Sequence, residues 1–249
     1  MHPWQYELLA LLGLVTGVLN VLAGGGSLLT LPFMIFMGMS PAVANGTNRI
    51  ALLGQNISAV ASFRKKGFSD FKLSLTLGLC TLPGAVLGAV AAAAISPLWF
   101  KRLLALVMLG VLVEVLRPKR GRKDDREGRH PHPALAHIAM VAVGLYGGFV
   151  QAGVGFILMA LLQGLLALDL VRVNMHKVFI IGLYMIPSLA VFAVLGDVRW
   201  VAGLVLAAGN AAGAWLGATV SVRGGERVIK FAFALAVLAT AIKLLLGAA

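Results

Sequence analysis

Asn45, Asn48 and Arg49 stand at positions i, i+3 and i+4, a spacing that puts all three on one face of a helix. Asn174 and Lys177 repeat that spacing 129 residues further on, with His176 beside them. Each set lies eight or nine residues into an apolar segment, at a depth where charge is costly and usually faces a cavity or a partner. Neutral amide donors beside a cation can hold an anion away from water. The alternative is that Arg49 and Lys177 snorkel to a membrane interface along their aliphatic stems.

Ahead of each set lies a glycine-rich interruption. The first reads Asn20-Val21-Leu22-Ala23-Gly24-Gly25-Gly26-Ser27 and the second Gln151-Ala152-Gly153-Val154-Gly155-Phe156. The same offset of 129 carries Gly24 onto Gly153 and Gly26 onto Gly155. Glycine lets backbone N–H groups turn toward a ligand, and the positive end of the helix that follows favours negative charge. Close helix packing also uses glycine. Paired interruptions at corresponding points of a repeat, however, point to a transport site. The candidate binding residues are therefore Asn20, Gly24, Gly25, Gly26, Ser27, Asn45, Asn48, Arg49, Gln151, Gly153, Gly155, Asn174 and Lys177. Gln55, Asn56, Gln163 and Asn210 read as hydrogen-bond partners between helices.

The absences narrow the chemistry. Outside the loops the acidic residues are Glu7, Glu114, Asp169 and Asp197, all near the ends of apolar runs. No carboxylate sits in mid-run, which disfavours a carboxylate proton relay or a charged metal cage. There is no His-Glu-x-x-His helix and no Gly-x-Ser-x-Gly elbow. Cys80 is the only cysteine, so no internal disulfide or cysteine metal site exists. The chain is expected to be no enzyme, with no catalytic residue, metal or cofactor.

The elements that must carry these residues are membrane helices. The chain is 60% apolar and 12% charged, with a mean hydropathy of +0.95. Its apolar runs include Leu8 to Ala23, Leu73 to Ile95, Val178 to Leu195 and Val201 to Val222, several reaching the ~20 residues that cross a bilayer. Period-two alternation is missing, which argues against a membrane β-barrel. The net charge of +12 is concentrated in loops: seven basic residues fall in Arg117 to Pro133, and Arg64, Lys65, Lys66 and Lys72 bracket another loop. That is the pattern that orients membrane helices, and no nucleic-acid-reading module accompanies it. The expected partners are the lipid bilayer and a small anionic substrate, without nucleic acid.

The basic linker divides the sequence into residues 1–116, 117–133 and 134–249, the first and last being membrane repeats and the middle a cytoplasmic linker. Each repeat runs in the same order: a long apolar segment, the glycine break, a short apolar piece (Leu28 to Met37; Phe156 to Leu168), an Asn-bearing helix (Ser40 to Phe63; Asp169 to Leu195) and two ordinary spans. Ser40-Pro41 and Asp169 are good helix starts. The short pieces reach about half a bilayer, so each break is either a re-entrant hairpin or a discontinuous helix. An odd number of elements per repeat, with Arg64 to Lys66 and the linker on the same side, makes the repeats inverted. Lys101, Arg102 and Arg199 then fall outside. The expected fold is an all-α polytopic membrane protein of two inverted five-element repeats with about 8–10 membrane segments.

The stretches Gly24-Gly25-Gly26-Ser27-Leu28-Leu29-Thr30-Leu31-Pro32 and Ser40-Pro41-Ala42-Val43-Ala44-Asn45-Gly46-Thr47-Asn48-Arg49, with Gly147-Gly148, Gly153-Val154-Gly155-Phe156 and Leu168 to Asn174, resemble the sulfite exporter TauE/SafE family over nearly the whole chain. Val154 stands where that family usually has glycine, and Asn20 and Gln151 are more polar than its common residues. The resemblance implies a multi-pass permease of the cytoplasmic (inner) membrane for small sulfur-containing anions such as sulfite, sulfonates or sulfoacetate. With the paired breaks it makes alternating access the expected mechanism. A passive anion channel is the rival, with a membrane assembly factor or intramembrane enzyme behind it.

Overall fold

The computed structural model describes residues 2–116, 131–223, 237–238 and 240–244; the cytoplasmic placement expected for the linker concerns residues mostly outside these. The described residues form helices and connecting turns: α1 (Pro3–Ala23), α2 (Ser27–Phe36), α3 (Pro41–Lys65), α4 (Phe71–Ala94), α5 (Pro97–Leu116), α6 (Pro133–Phe149), α7 (Val154–Leu166), α8 (Leu170–Val194) and α9 (Trp200–Arg223). Residues 237–238 and 240–244 are also helical.

Local chemistry sets the ends of these helices. The Ser40 hydroxyl accepts from the Val43 N–H at 3.3 Å, and Pro41 opens α3 where its missing N–H leaves no gap. The Asp169 carboxylate accepts from the Val171 and Arg172 N–H groups, each at 3.0 Å, and starts α8. Both α8 and α9 begin and end 129 residues after α3 and α4. The helix pairings follow the same exchange: α1 packs on α9 as α6 packs on α4, and α3 packs on α9 as α8 packs on α4. The central contact is α3 against α8.

Small residues allow the close pairings. Gly13 and Gly17 of α1 face Gly209 and Gly213 of α9, while Gly84 and Gly88 of α4 face Gly144 and Gly148 of α6. In each set the glycines lie four apart, so backbones approach directly, as van der Waals packing between helices in lipid requires. A hydroxyl joins each layer to the next: Thr16 donates to Asn210 Oδ1 at 2.9 Å, and the Ser74 hydroxyl lies 2.7 Å from His176 Nδ1.

By length and composition, α4 and α8, with Pro3–Leu22 of α1 and Trp200–Ser221 of α9, can each cross a membrane. The chain is thus an all-α, multi-pass protein. Their outward faces carry exposed Leu11, Leu79, Leu87, Ile186, Val194 and Leu204, as lipid contact demands. The 25-residue α3 is long enough, but Asn45, Asn48, Arg49, Gln55 and Asn56 give it a polar stripe. That stripe is buried against the other helices.

Candidate functional site

The first break ends α1 and starts α2. Gly24 adopts a left-handed conformation at φ 81°, and its N–H closes α1 onto the carbonyls of Asn20 (2.8 Å) and Leu19 (3.2 Å). Two residues on, the Gly26 N–H donates to the Asn20 side-chain oxygen at 2.7 Å. Asn20 therefore satisfies a backbone donor at the head of α2 that would otherwise be orphaned in the apolar interior. Its amide nitrogen donates across to Gln55 Oε1 on α3 at 2.8 Å.

The second break ends α6 and starts α7. Gln151 sits in the left-handed region at φ 63°, unusual for a residue with a side chain, and Gly153 follows at φ 77°. The Tyr146 hydroxyl bridges the turn by donating to the Ala152 carbonyl at 2.6 Å. The Gln151 side chain reaches back to the first half, donating to the Ser27 hydroxyl at 3.4 Å and accepting from Asn48 at 3.5 Å. Thr30 of α2 donates to Asn48 Oδ1 at 2.8 Å.

The breaks touch. A Cβ on Gly24 would lie 2.6 Å from Gly155 Cα, a separation no real side chain tolerates. Beside this contact lies a small cavity with room for on the order of one water molecule. Asn20, Gly24 and Ser27 of the first break line it, with Gln151 and Val154 of the second. Leu52, Gln55 and Asn56 of α3 and Lys177, Val178 and Ile181 of α8 complete the wall. The polar members of this wall are amides, one hydroxyl and one lysine, with no carboxylate, a set that suits a small anion.

The two buried cations do not snorkel; both have no exposed surface. Each instead crosses to the other half. The Arg49 guanidinium donates to the carbonyls of Gly148 and, at 3.4 Å, Gly147, in the last turn of α6. It also donates to Asn45 Oδ1 at 3.4 Å and stands 4.7 Å from the Phe192 ring centroid. Lys177 donates to the Val21 carbonyl, in the last turn of α1, at 2.9 Å and to Asn174 Oδ1 at 2.8 Å. Each half thus supplies a cation to the negative C-terminal end of the other half's broken helix.

Of the sequence-derived candidates, Asn20, Gly24, Ser27, Gln151 and Lys177 line the cavity. Gly26, Gly155, Asn48 and Asn174 stand directly behind them. Asn45 and Arg49 face the end of α6 instead, where Asn45 donates to the Phe149 carbonyl at 2.8 Å. Gly153 packs toward Val111, and Gly25 is buried in its break without lining the cavity. Gln55 and Asn56 were expected only as interhelical partners, yet both line the cavity. Asn56 is a correction outright: its amide nitrogen bonds the Leu52 carbonyl of its own helix at 2.7 Å. Their spacing of seven from Asn48 and Arg49 was the available signal, since it keeps one helical face for two further turns.

The sulfite exporter TauE/SafE family model matches residues 9–244. The chain belongs to that family. It is therefore a multi-pass membrane protein of a transporter family and not an enzyme. Among its relatives is a probable membrane transporter protein of Haemophilus influenzae, 30% identical over 228 residues that cover 90% of this chain and 89% of that one. The probable membrane transporter protein YfcA of Escherichia coli K12 is 30% identical over 234 residues, 92% of this chain and 86% of its own. The probable membrane transporter protein YunE of Bacillus subtilis is 23% identical over 242 residues, 87% and 89% of the two chains. No solved structure matches.

Proposed function

We propose that this TauE/SafE protein is a secondary transporter that moves small sulfur-containing oxyanions, such as sulfite, sulfonates or sulfoacetate, across the inner membrane by alternating access. One observation carries the reading: residues of both glycine breaks border one small cavity whose wall Lys177 also lines. Donors converging from both halves let one ligand bridge them, and rocking one half against the other then exposes the ligand to either side in turn. Residues 1–116 and 134–249 act as the two repeats, of inverted topology, with 117–133 as a cytoplasmic linker. The common offset of α3 with α8 and of α4 with α9 supports the duplication. The sign of the membrane potential favours export of an anion from a cell that is negative inside.

The rival reading is a permanently open anion channel. Counterflow separates the two. Proteoliposomes loaded with unlabelled sulfite should transiently accumulate labelled sulfite above its external concentration. Simple equilibration without overshoot would identify a channel, and no uptake of any sulfur oxyanion would overturn the reading.

A further inference from the structure

The cavity wall includes two residues whose side chains each keep one polar atom without a hydrogen-bond partner among the described residues, and backbone chemistry fixes which atoms they are. The Gly26 N–H can only donate, so the Asn20 atom 2.7 Å away is the oxygen. The nitrogen end of Asn20 then donates to Gln55 at 2.8 Å, so Gln55 offers Oε1 there and its Nε2 is left with no hydrogen-bond partner among the described residues. The Leu52 carbonyl can only accept, so it takes Asn56 Nδ2 at 2.7 Å and leaves Asn56 Oδ1 unpaired. Asn56 is 1% exposed and Gln55 3%. A free donor and a free acceptor on consecutive residues of α3 therefore share the wall that Lys177 approaches from α8.

A fully deprotonated oxyanion can accept from Gln55, but it gives Asn56 Oδ1 nothing and sets lone pair against lone pair. A ligand that carries one O–H answers both groups. We propose that this cavity prefers an oxyanion that carries one O–H, as hydrogensulfite does, over one that carries none, as sulfite dianion and sulfonates do. The ligand O–H donates to Asn56 Oδ1, and a charged oxygen accepts from Gln55 Nε2 under the field of the Lys177 ammonium. The inference rests on the oxyanion reading above and ranks the anions within that class. The cavity must widen to admit it, since the present space suits about one water, which could pair with the same two groups.

Lys177 is the titratable side chain in the cavity wall. His176 beside it turns to Ser74 of α4, Arg49 turns to α6, and the Tyr184 hydroxyl of α8 packs against Gly147 of α6. Among the described residues no Asp or Glu lines the cavity. The test is calorimetric titration of the full-length protein with two probes, sulfite and methanesulfonate, across the pH range in which hydrogensulfite loses its proton. Methanesulfonate holds one charge throughout and has no O–H. Wild type should bind sulfite at least about tenfold more weakly once the proton is lost, and hydrogensulfite about tenfold more tightly than methanesulfonate, whose own affinity stays level. Asn56→Leu, or Asn56→Ala should the larger side chain prevent folding, should erase both differences. Gln55→Met should weaken both probes alike. Equal affinity for the two forms, or a preference that survives in the Asn56 variants, would overturn the inference and leave oxyanion transport intact. Methanesulfonate binding that follows the same pH curve would assign the titration to the protein and overturn it too. A pocket that holds water only would bind neither probe at any pH, and both readings would fall together.

Discussion

Gly24 and Gly155 meet backbone to backbone across the two halves of the chain, with a Cβ on Gly24 falling 2.6 Å from Gly155 Cα. Gly24 also needs its φ of 81° to turn the chain out of α1. Steric space and conformation thus both select glycine there, whereas at Gly155 space alone does.

Gly155→Ala should lower stability by ~1–3 kcal/mol, the usual cost of overpacking, because its new methyl meets fixed backbone rather than a mobile side chain. Gly164→Ala on the same helix has nothing within 4 Å and should be neutral or stabilising by up to ~1 kcal/mol. Thermal unfolding of the two purified variants compares them directly. Equal melting temperatures would mean that the breaks yield freely where they touch.

Arg49 and Lys177 should behave differently despite their matching positions. Lys177 lines the cavity, so Lys177→Gln should weaken oxyanion binding by ~1–3 kcal/mol through loss of its charge. Arg49 serves the Gly147 and Gly148 carbonyls, so Arg49→Gln should chiefly destabilise the fold, with the dissociation constant nearly unchanged. Arg49→Lys should not restore stability, because a single ammonium does not reproduce the guanidinium fork. Calorimetry gives the binding arm and denaturation the other. An Arg49→Gln protein of normal stability that no longer binds would place Arg49 at the ligand.

Asn20 holds both the Gly26 N–H and Gln55, so its oxygen and nitrogen have separate jobs. Asn20→Asp keeps the acceptor for Gly26, whereas Asn20→Leu leaves that donor bare in the interior. The Leu variant should be less stable than the Asp variant by ~1–3 kcal/mol. The reverse order in a denaturation series would show that the Asn20 oxygen is dispensable.

For the inverted arrangement, Ser69→Cys, Ser96→Cys and Gly121→Cys are introduced singly into a Cys80→Ala background. Ser69 and Ser96 are exposed in their loops. An impermeant thiol reagent applied to intact cells should label position 96 and spare positions 69 and 121. Labelling at 69 and 121 with protection at 96 would turn the whole assembly over, and disagreement between 69 and 121 would remove the inverted topology.

Much of the fold is a local property and was legible in the sequence. Hydropathy marks where a segment can leave water, and Ser40, Asp169 and the glycine clusters mark where helices start and stop. For that reason α3 and α8, α4 and α9, and the two short helices α2 and α7 follow from residue type and spacing alone. The pairing of buried polar groups is different in kind. Asn20, Asn45, Asn48 and Asn56 send the same local signal, yet one caps a neighbouring helix start, one bonds the end of α6, one meets Gln151 and one bonds its own helix. Those outcomes depend on which backbone carbonyls and N–H groups a distant segment brings alongside, and on which end of an amide they demand. Arg49 shows the same limit. Its depth in the chain left a cavity and an interface equally open, and only the packing of α3 beside the last turn of α6 directs it to unsatisfied carbonyls of the other half. The sequence by itself determined a membrane protein of two matched halves with paired breaks. Tertiary packing decided that the breaks touch, that Gln55 and Asn56 face the cavity between them, and that each buried cation crosses over, because buried polar groups must find partners wherever the fold supplies them.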